Sequence, residues 1–152
     1  KEVYHHDLYV IVKNFFAKHD ISSNEVNSYS DSFYELIDLQ VISNTIFPSA
    51  SVKIKQGTEE INSSAVGSGP IDALYTAILQ VIDLDIRLLE YKISSISRGK
   101  EALGKVKVSV QYNGATYHAN ATDTDVIKAS ALAYINVVNK IVVENLLPEV
   151  TV

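Results

Sequence analysis

The residues best suited to chemistry cluster at two helix starts. Gly67-Ser68-Gly69-Pro70 interrupts an extended run and places proline at the first position of a helix. Backbone N–H groups and the positive end of the helix dipole at such a start can take a carboxylate without a basic side chain. Asp72 lies in the same turn and could hold an ammonium group. An acid at the mouth repels a phosphate dianion but suits a zwitterion, so the pair points to a free amino acid. Thr122-Asp123-Thr124-Asp125 precedes a second helix and offers the same combination, although its acids serve equally well as dipole-complementing caps.

Other chemistries find little footing. The glycine pair lacks the lysine and following hydroxyl of a phosphate-binding loop and the spacing of a dinucleotide fold, so a strand-to-helix turn accounts for it equally well. Histidine occurs only at positions 5, 6, 19 and 118, without a spaced partner or acid to complete a metal site. The adjacent His5, His6 and Asp7 read as solvated surface. No metal or other cofactor is expected here, and the absence of cysteine excludes disulfides and thiolate chemistry. The triplets at Asn62 and Asn120 match the glycosylation pattern, which arises often by chance and carries no weight.

The elements that must position the two helix starts follow from periodicity. Apolar residues from Val3 to His19 recur at helical spacing, giving a linker helix within residues 1–21, and the polar stretch 22–32 reads as a flexible linker. Two βββα units follow, over 33–83 and 86–145, within a domain expected to span 33–147. In the first, strands are expected at Phe33 to Ser43, Ala50 to Lys55 and Ile61 to Val66, followed by a helix with Ile71, Leu74, Tyr75, Ile78 and Ile82 on its apolar face. In the second, strands are expected at Ile86 to Ser97, Lys105 to Tyr112 and Ala115 to Ala119. Asn113-Gly114 marks the hairpin between the last two. The final helix buries Ile127, Ala131, Tyr134, Val138 and Ile141. The fold class is therefore α+β, with each unit offering one apolar sheet face and one amphipathic helix to its mate or to a second copy of the chain.

Composition bounds the function classes. The chain has 152 residues, 47% of them hydrophobic and 20% charged, enough for one globular core. A formal net charge of −5 argues against nucleic acid as a partner. No apolar run is expected to approach the roughly 18 residues that span a bilayer, and no signal peptide is recognisable, so no membrane partner is expected and the cytoplasm is the default location. The chain contains no methionine and begins at Lys1, which reads as a piece of something longer.

Four ordered motifs carry a family likeness. Val66-Gly67-Ser68-Gly69-Pro70-Ile71-Asp72-Ala73-Leu74, Leu89-Glu90-Tyr91-Lys92-Ile93, Gly99-Lys100-Glu101-Ala102-Leu103-Gly104, and Thr124 to Tyr134 with Asn139 together resemble the C-terminal regulatory domain of 2-isopropylmalate synthase. Citramalate synthases are close relatives of that family. The resemblance implies a homodimer of paired βββα units, joined through helical linkers to a catalytic barrel that condenses acetyl-CoA with a 2-oxo acid. That barrel, with its divalent metal and acetyl-CoA site, lies outside this chain, so no catalytic residue is expected here. The implied effector is leucine, or isoleucine in the citramalate branch, bound between the units. Carried over by motif, Ser68, Gly69, Ile71 and Asp72 resemble one wall of its pocket, Tyr91 and Ser95 the side, and Ala121, Thr122 and Asp125 the opposite end. Ala119 and Ala121 stand where the family often has glycines.

Two other readings fit part of the pattern. The order helix, three strands, helix also belongs to double-stranded RNA-binding domains, but Asp123 and Asp125 surround the lone Lys128 where such a domain needs a basic cluster. A plain dimerisation module with an empty pocket is the other.

Overall fold

The computed structural model describes residues 32–98 and 101–146. The expected linker helix, nearly all of the polar linker, and Gly99-Lys100 lie outside the described residues. The described chain forms β1 (Tyr34–Ile42), β2 (Ser49–Gln56), β3 (Glu59–Val66), α1 (Pro70–Val81), β4 (Ile86–Arg98), β5 (Glu101–Tyr112), β6 (Ala115–Asp123) and α2 (Val126–Leu146). This is an α+β architecture of two βββα units, each built on an antiparallel sheet of three strands in the order β1-β2-β3 or β4-β5-β6.

Local chemistry sets the turns. Gly57 adopts φ 62° between β2 and β3, and Asn113 and Gly114 adopt φ 52° and 84° between β5 and β6. Two consecutive positive φ values match the right-handed twist of the flanking strands, which is why Asn-Gly closes this hairpin. Alternation then sorts the faces. Leu36, Leu39 and Val41 lie opposite Ile54, Val52 and Ala50, and a bulge at Ile37 restores the phase between them. In the second sheet Val106, Val108 and Val110 are completely buried and lie opposite Ala121, Ala119 and Tyr117.

Each helix covers its own sheet. α1 packs on β2 and β3, and α2 packs on β5 and β6 while also touching β1 and α1. One continuous core results, running from Leu36 and Ile54 through Leu74 and Ile78 to Val108, Tyr134 and Ile141. Because α2 is gripped from both units, nearly every side chain from Ala129 to Val143 is buried. A helix sandwiched in this way is apolar all round rather than striped. This corrects the expectation that no apolar stretch approaches bilayer length. Val126–Asn145 has a mean hydropathy of 1.5 over its richest window and is long enough to cross a membrane, but 78% of that window is buried inside the protein. The helix is the centre of the core.

The strand limits also differ from the periodicity reading. β3 begins at Glu59, β5 at Glu101, and β6 continues to Asp123. Pairing explains the extra length: polar residues such as Glu59, Asn120 and Thr122 lie opposite Gln56, Lys107 and Lys105 in the ladder, and their main chains satisfy one another whatever the side chains do.

A long-range pair ties the units together. The Asn139 side chain of α2 accepts the Tyr34 N–H at 2.8 Å and donates to the Tyr34 carbonyl at 2.8 Å. The amide thus behaves as one residue of an adjoining strand and closes the outer edge of β1 at its start.

Candidate functional site

The two helix starts are built differently. At α1, Gly69 is the N-cap in extended conformation, with its carbonyl accepting the Ala73 N–H at 3.0 Å and no side chain capping. Asp72 braces the loop instead: its Oδ2 accepts the Ser68 N–H at 2.8 Å and the Ser68 hydroxyl at 3.2 Å. This folds the loop back over the first turn. Gly67 lies under it so tightly that a Cβ there would sit 2.4 Å from the Ala73 nitrogen. At α2, Asp125 caps through Oδ1, which accepts from the N–H groups of Ile127 at 2.9 Å and Lys128 at 3.5 Å, and Asp123 braces the preceding turn by accepting the Asp125 N–H at 2.9 Å. The capping role read from Thr122 to Asp125 is thus carried by the two aspartates, while Thr122 belongs to β6.

A cluster of hydroxyls and rings joins these starts. The Tyr75 hydroxyl of α1 donates to the Ser130 carbonyl of α2 at 2.9 Å. The Tyr91 hydroxyl of β4 lies 2.7 Å from the Ser130 hydroxyl, which also bonds the Val126 carbonyl at 2.7 Å. Tyr91 meets Tyr75 edge to face at 5.8 Å between ring centres, and Tyr75 stacks at a tilt on Tyr134 at 4.3 Å. Tyr75 lies five residues into α1 and Ser130 four into α2, so each helix start is only about 6–8 Å along its axis from the point where the helices touch. α1, α2 and β4 therefore converge within one to two turns of both starts.

The residues expected at a site fall on or beside the elements that meet at this junction. Tyr91 lies in it. Ile71 is half-buried against the core one turn before Tyr75. Ser68, Gly69 and Asp72 form the α1 capping loop. Ser95 is exposed on β4, in the row Ser95–Gly104–Asp123 that leads to the start of α2. Gly104 matters in that row, because a Cβ there would come within 2.6 Å of Val126 Cγ2, so the Val126 side chain at the start of α2 would have to shift. Ala121 is 5% exposed opposite Val106, Thr122 is half-buried, and Asp125 is exposed at the cap. A separate cleft of about 230 Å³ opens between β1 and the start of α2, lined by Leu36, Ile37, Asp38, Leu39, Asp125, Lys128 and Leu132. Of the expected residues this cleft takes only Asp125.

Tyr75 and Tyr134, which periodicity assigns to the core, hold the junction with Ser130, which lies within the Thr124 to Tyr134 motif but carries no site role there. A usable signal existed: a tyrosine on a buried stripe needs a partner for its hydroxyl. Burial pushes the phenols of both Tyr75 and Tyr134 well above the ordinary tyrosine range, with the neighbouring Tyr91 and Tyr134 phenols adding to the effect at Tyr75. A raised pKa means that the folded state favours the neutral phenol. The associated stability is complete below the unfolded value of about 10 and is lost as pH rises beyond it. Thermal melts are expected to fall steeply above about pH 10 for this reason. Tyr134→Phe, which keeps the ring stack and removes one phenol, should make that fall shallower.

Among the described residues no group of three or more histidine, aspartate or glutamate side chains is placed to hold a metal ion.

Comparison with known proteins places this geometry in context. The LeuA allosteric (dimerisation) domain family matches residues 2–142. A 2-isopropylmalate synthase from Geobacillus sp. (strain Y412MC10) is 45% identical over 144 residues, covering 95% of this chain and 26% of the relative. One from Sediminispirochaeta smaragdinae is 39% identical over 140 residues, covering 92% of the chain and 26% of the relative. One from Pyrococcus furiosus is 42% identical over 109 residues, covering 71% of the chain and 22% of the relative. The chain thus spans about a quarter of the length of these curated relatives.

Proposed function

The chain belongs to the LeuA allosteric (dimerisation) domain family, and on that premise we propose that it is the leucine sensor of a 2-isopropylmalate synthase. In this reading it acts in the cytoplasm as a homodimer without chemistry of its own. It restrains the condensation of acetyl-CoA with 2-oxoisovalerate by a catalytic barrel elsewhere in the parent protein.

The observation that carries the reading is the junction of Tyr75, Tyr91 and Ser130. It draws both helix starts and β4 toward one place, which supports a shared site for a small zwitterion. At α1, where no side chain caps the helix, backbone N–H groups and the positive helix end suit the carboxylate, and Asp72 and Asp125 offer acids to the ammonium group. The aliphatic chain is assigned to Ile71, Tyr91 and Ala121, which belong to the core or pack against it, with Ser68, Gly69, Ser95 and Thr122 assigned to the rim. Occupancy alone would regulate nothing. The effector must prefer one arrangement of the two units, and a full switch requires a preference on the order of 10⁴-fold. The Tyr91–Ser130 contact is suited to transmit it, since it links β4 to the first turns of α2 and through Tyr75 to α1.

Titration calorimetry with leucine, isoleucine and valine tests the assignment. Leucine is expected to give saturable heat. Heat from isoleucine alone would reassign the chain to the citramalate branch, and silence from all three would leave a dimerisation module. Asp72→Ala is expected to weaken leucine binding by about tenfold or more, because a charge-assisted contact to the ammonium group is lost. The same variant should lower thermal stability only modestly, by the roughly 1 kcal/mol that a hydrogen bond contributes. A calorimetric isotherm unchanged by Asp72→Ala would remove that residue from the site.

A further inference from the structure

Among the described residues, the four sheet edges are not equivalent. The edge of β1 is engaged by Asn139 at Tyr34. The edge strand β6 has its Asn120 carbonyl accepting from Asn136 Nδ2 at 3.1 Å and its His118 carbonyl from Lys140 Nζ at 3.1 Å. Helix α2 therefore engages both of these edges with polar side chains. β3 opens with Glu59 and Glu60, which have no basic counterpart within that strand. β4 is different. It is 13 residues long, stands at the edge of its sheet, and lies outside the cover that α2 gives to β5 and β6. Leu88 and Ile93, paired with the buried Val110 and Val106 on the sheet's inner face, remain 40% and 52% exposed, and Leu89 at the bulge is 46% exposed.

The segment Leu89-Glu90-Tyr91-Lys92-Ile93 is also self-complementary about its centre. Laid antiparallel on a second copy with Tyr91 at the two-fold axis, Glu90 falls opposite the partner's Lys92, Lys92 opposite the partner's Glu90, and Leu89 beside the partner's Ile93. In the single chain Glu90 and Lys92 lie on one face with their charged atoms 3.9 Å apart and both side chains largely exposed. Opposite charges facing across an antiparallel pair stabilise it, and a two-fold axis counts each such pair twice.

We propose that two copies of this chain join through β4 in antiparallel register centred on Tyr91, making one continuous six-stranded sheet. The inference rests on the reading of the chain as a dimerising sensor and deepens it by placing the dimer axis at a residue of the effector junction. Pairing would hold Tyr91 from the edge side while Ser130 holds its hydroxyl, so that effector binding and subunit pairing act on the same side chain.

Sedimentation of the 152-residue chain over a concentration series tests this through charge exchange. Glu90→Lys and Lys92→Glu each place like charges opposite one another at two points, and each should raise the dimer dissociation constant by about tenfold or more. The combined E90K/K92E chain should return to near the original value. Singles that dimerise as before, or an exchange that fails to restore pairing, would overturn this interface. A monomeric unsubstituted chain would overturn it too. Leucine calorimetry on the unsubstituted chain reports independently on the sensor reading, so the two failures are distinguishable.

Discussion

Asn139→Ala is expected to be among the most damaging single substitutions in this domain, lowering stability by about 2–4 kcal/mol. The side chain supplies both an acceptor and a donor to the main chain of Tyr34, and Asn139 is completely buried. Leaving two buried backbone groups without that partner costs about 1–3 kcal/mol each, reduced where water can enter the space. Against a total stability of roughly 5–15 kcal/mol the loss is large. The physical consequence goes beyond energy, because Asn139 joins α2 of the second unit to the edge of the first. Chemical denaturation of Asn139→Ala should show a lower midpoint, and protection of β1 amides against hydrogen exchange should fall more than protection of β5 amides. Asn139→Asp offers a pH-readable contrast. A carboxylate can accept from the Tyr34 N–H but repels its carbonyl, so the variant should be weakest at neutral pH and recover as the acid takes a proton.

The second large effect is expected at Gly67, with Gly69 as its control. A Cβ on Gly67 would meet the Ala73 nitrogen at 2.4 Å, the Ala73 Cα at 2.8 Å and Asp72 Oδ2 at 2.7 Å. Two of these are main-chain atoms of the α1 first turn, which cannot swing aside. Gly67→Ala should therefore cost about 1–3 kcal/mol through overpacking and displace the Ser68–Asp72 loop. Effector binding should be lost along with the loop. At Gly69 a Cβ would meet nothing within 4 Å, and the backbone there is extended, at φ −157°, where any residue is at ease. Gly69→Ala should leave the melting temperature nearly unchanged. If leucine lies against this turn, the added methyl should nonetheless weaken its binding. Melting curves and calorimetry on the two variants together separate a folding lesion at Gly67 from a steric lesion at Gly69.

Much of the fold was legible in the sequence because its determinants are local. Asn113-Gly114 has two residues tolerant of positive φ between alternating strands, and Pro70 has a helix-ready φ with an orphan donor removed. Asp125 stands where the first amides of α2 need an acceptor. Each of these works within a few residues. What periodicity did not show depends on residues far apart in the chain. The Asn139–Tyr34 pair spans 105 positions and the Tyr75–Ser130 bond spans 55. Neither leaves a mark in hydropathy, since a clamp asparagine on an apolar helix reads as an isolated polar interruption. The apolar length of α2 is readable in its own hydropathy, but that both units surround it is not. The candidate site divides along the same line: the two capping loops are local and were visible as motifs, whereas their approach to one another through tyrosines is a tertiary fact.

The central claim is that a branched-chain amino acid is held where the starts of α1 and α2 meet β4. A crystal structure of the 152-residue chain grown with saturating leucine tests it most directly. The account predicts leucine density between the Ser68–Asp72 loop and the Asp125 cap, in contact with Tyr91. Leucine lodged in the cleft between β1 and Lys128, or helix starts occupied by solvent alone, would contradict it.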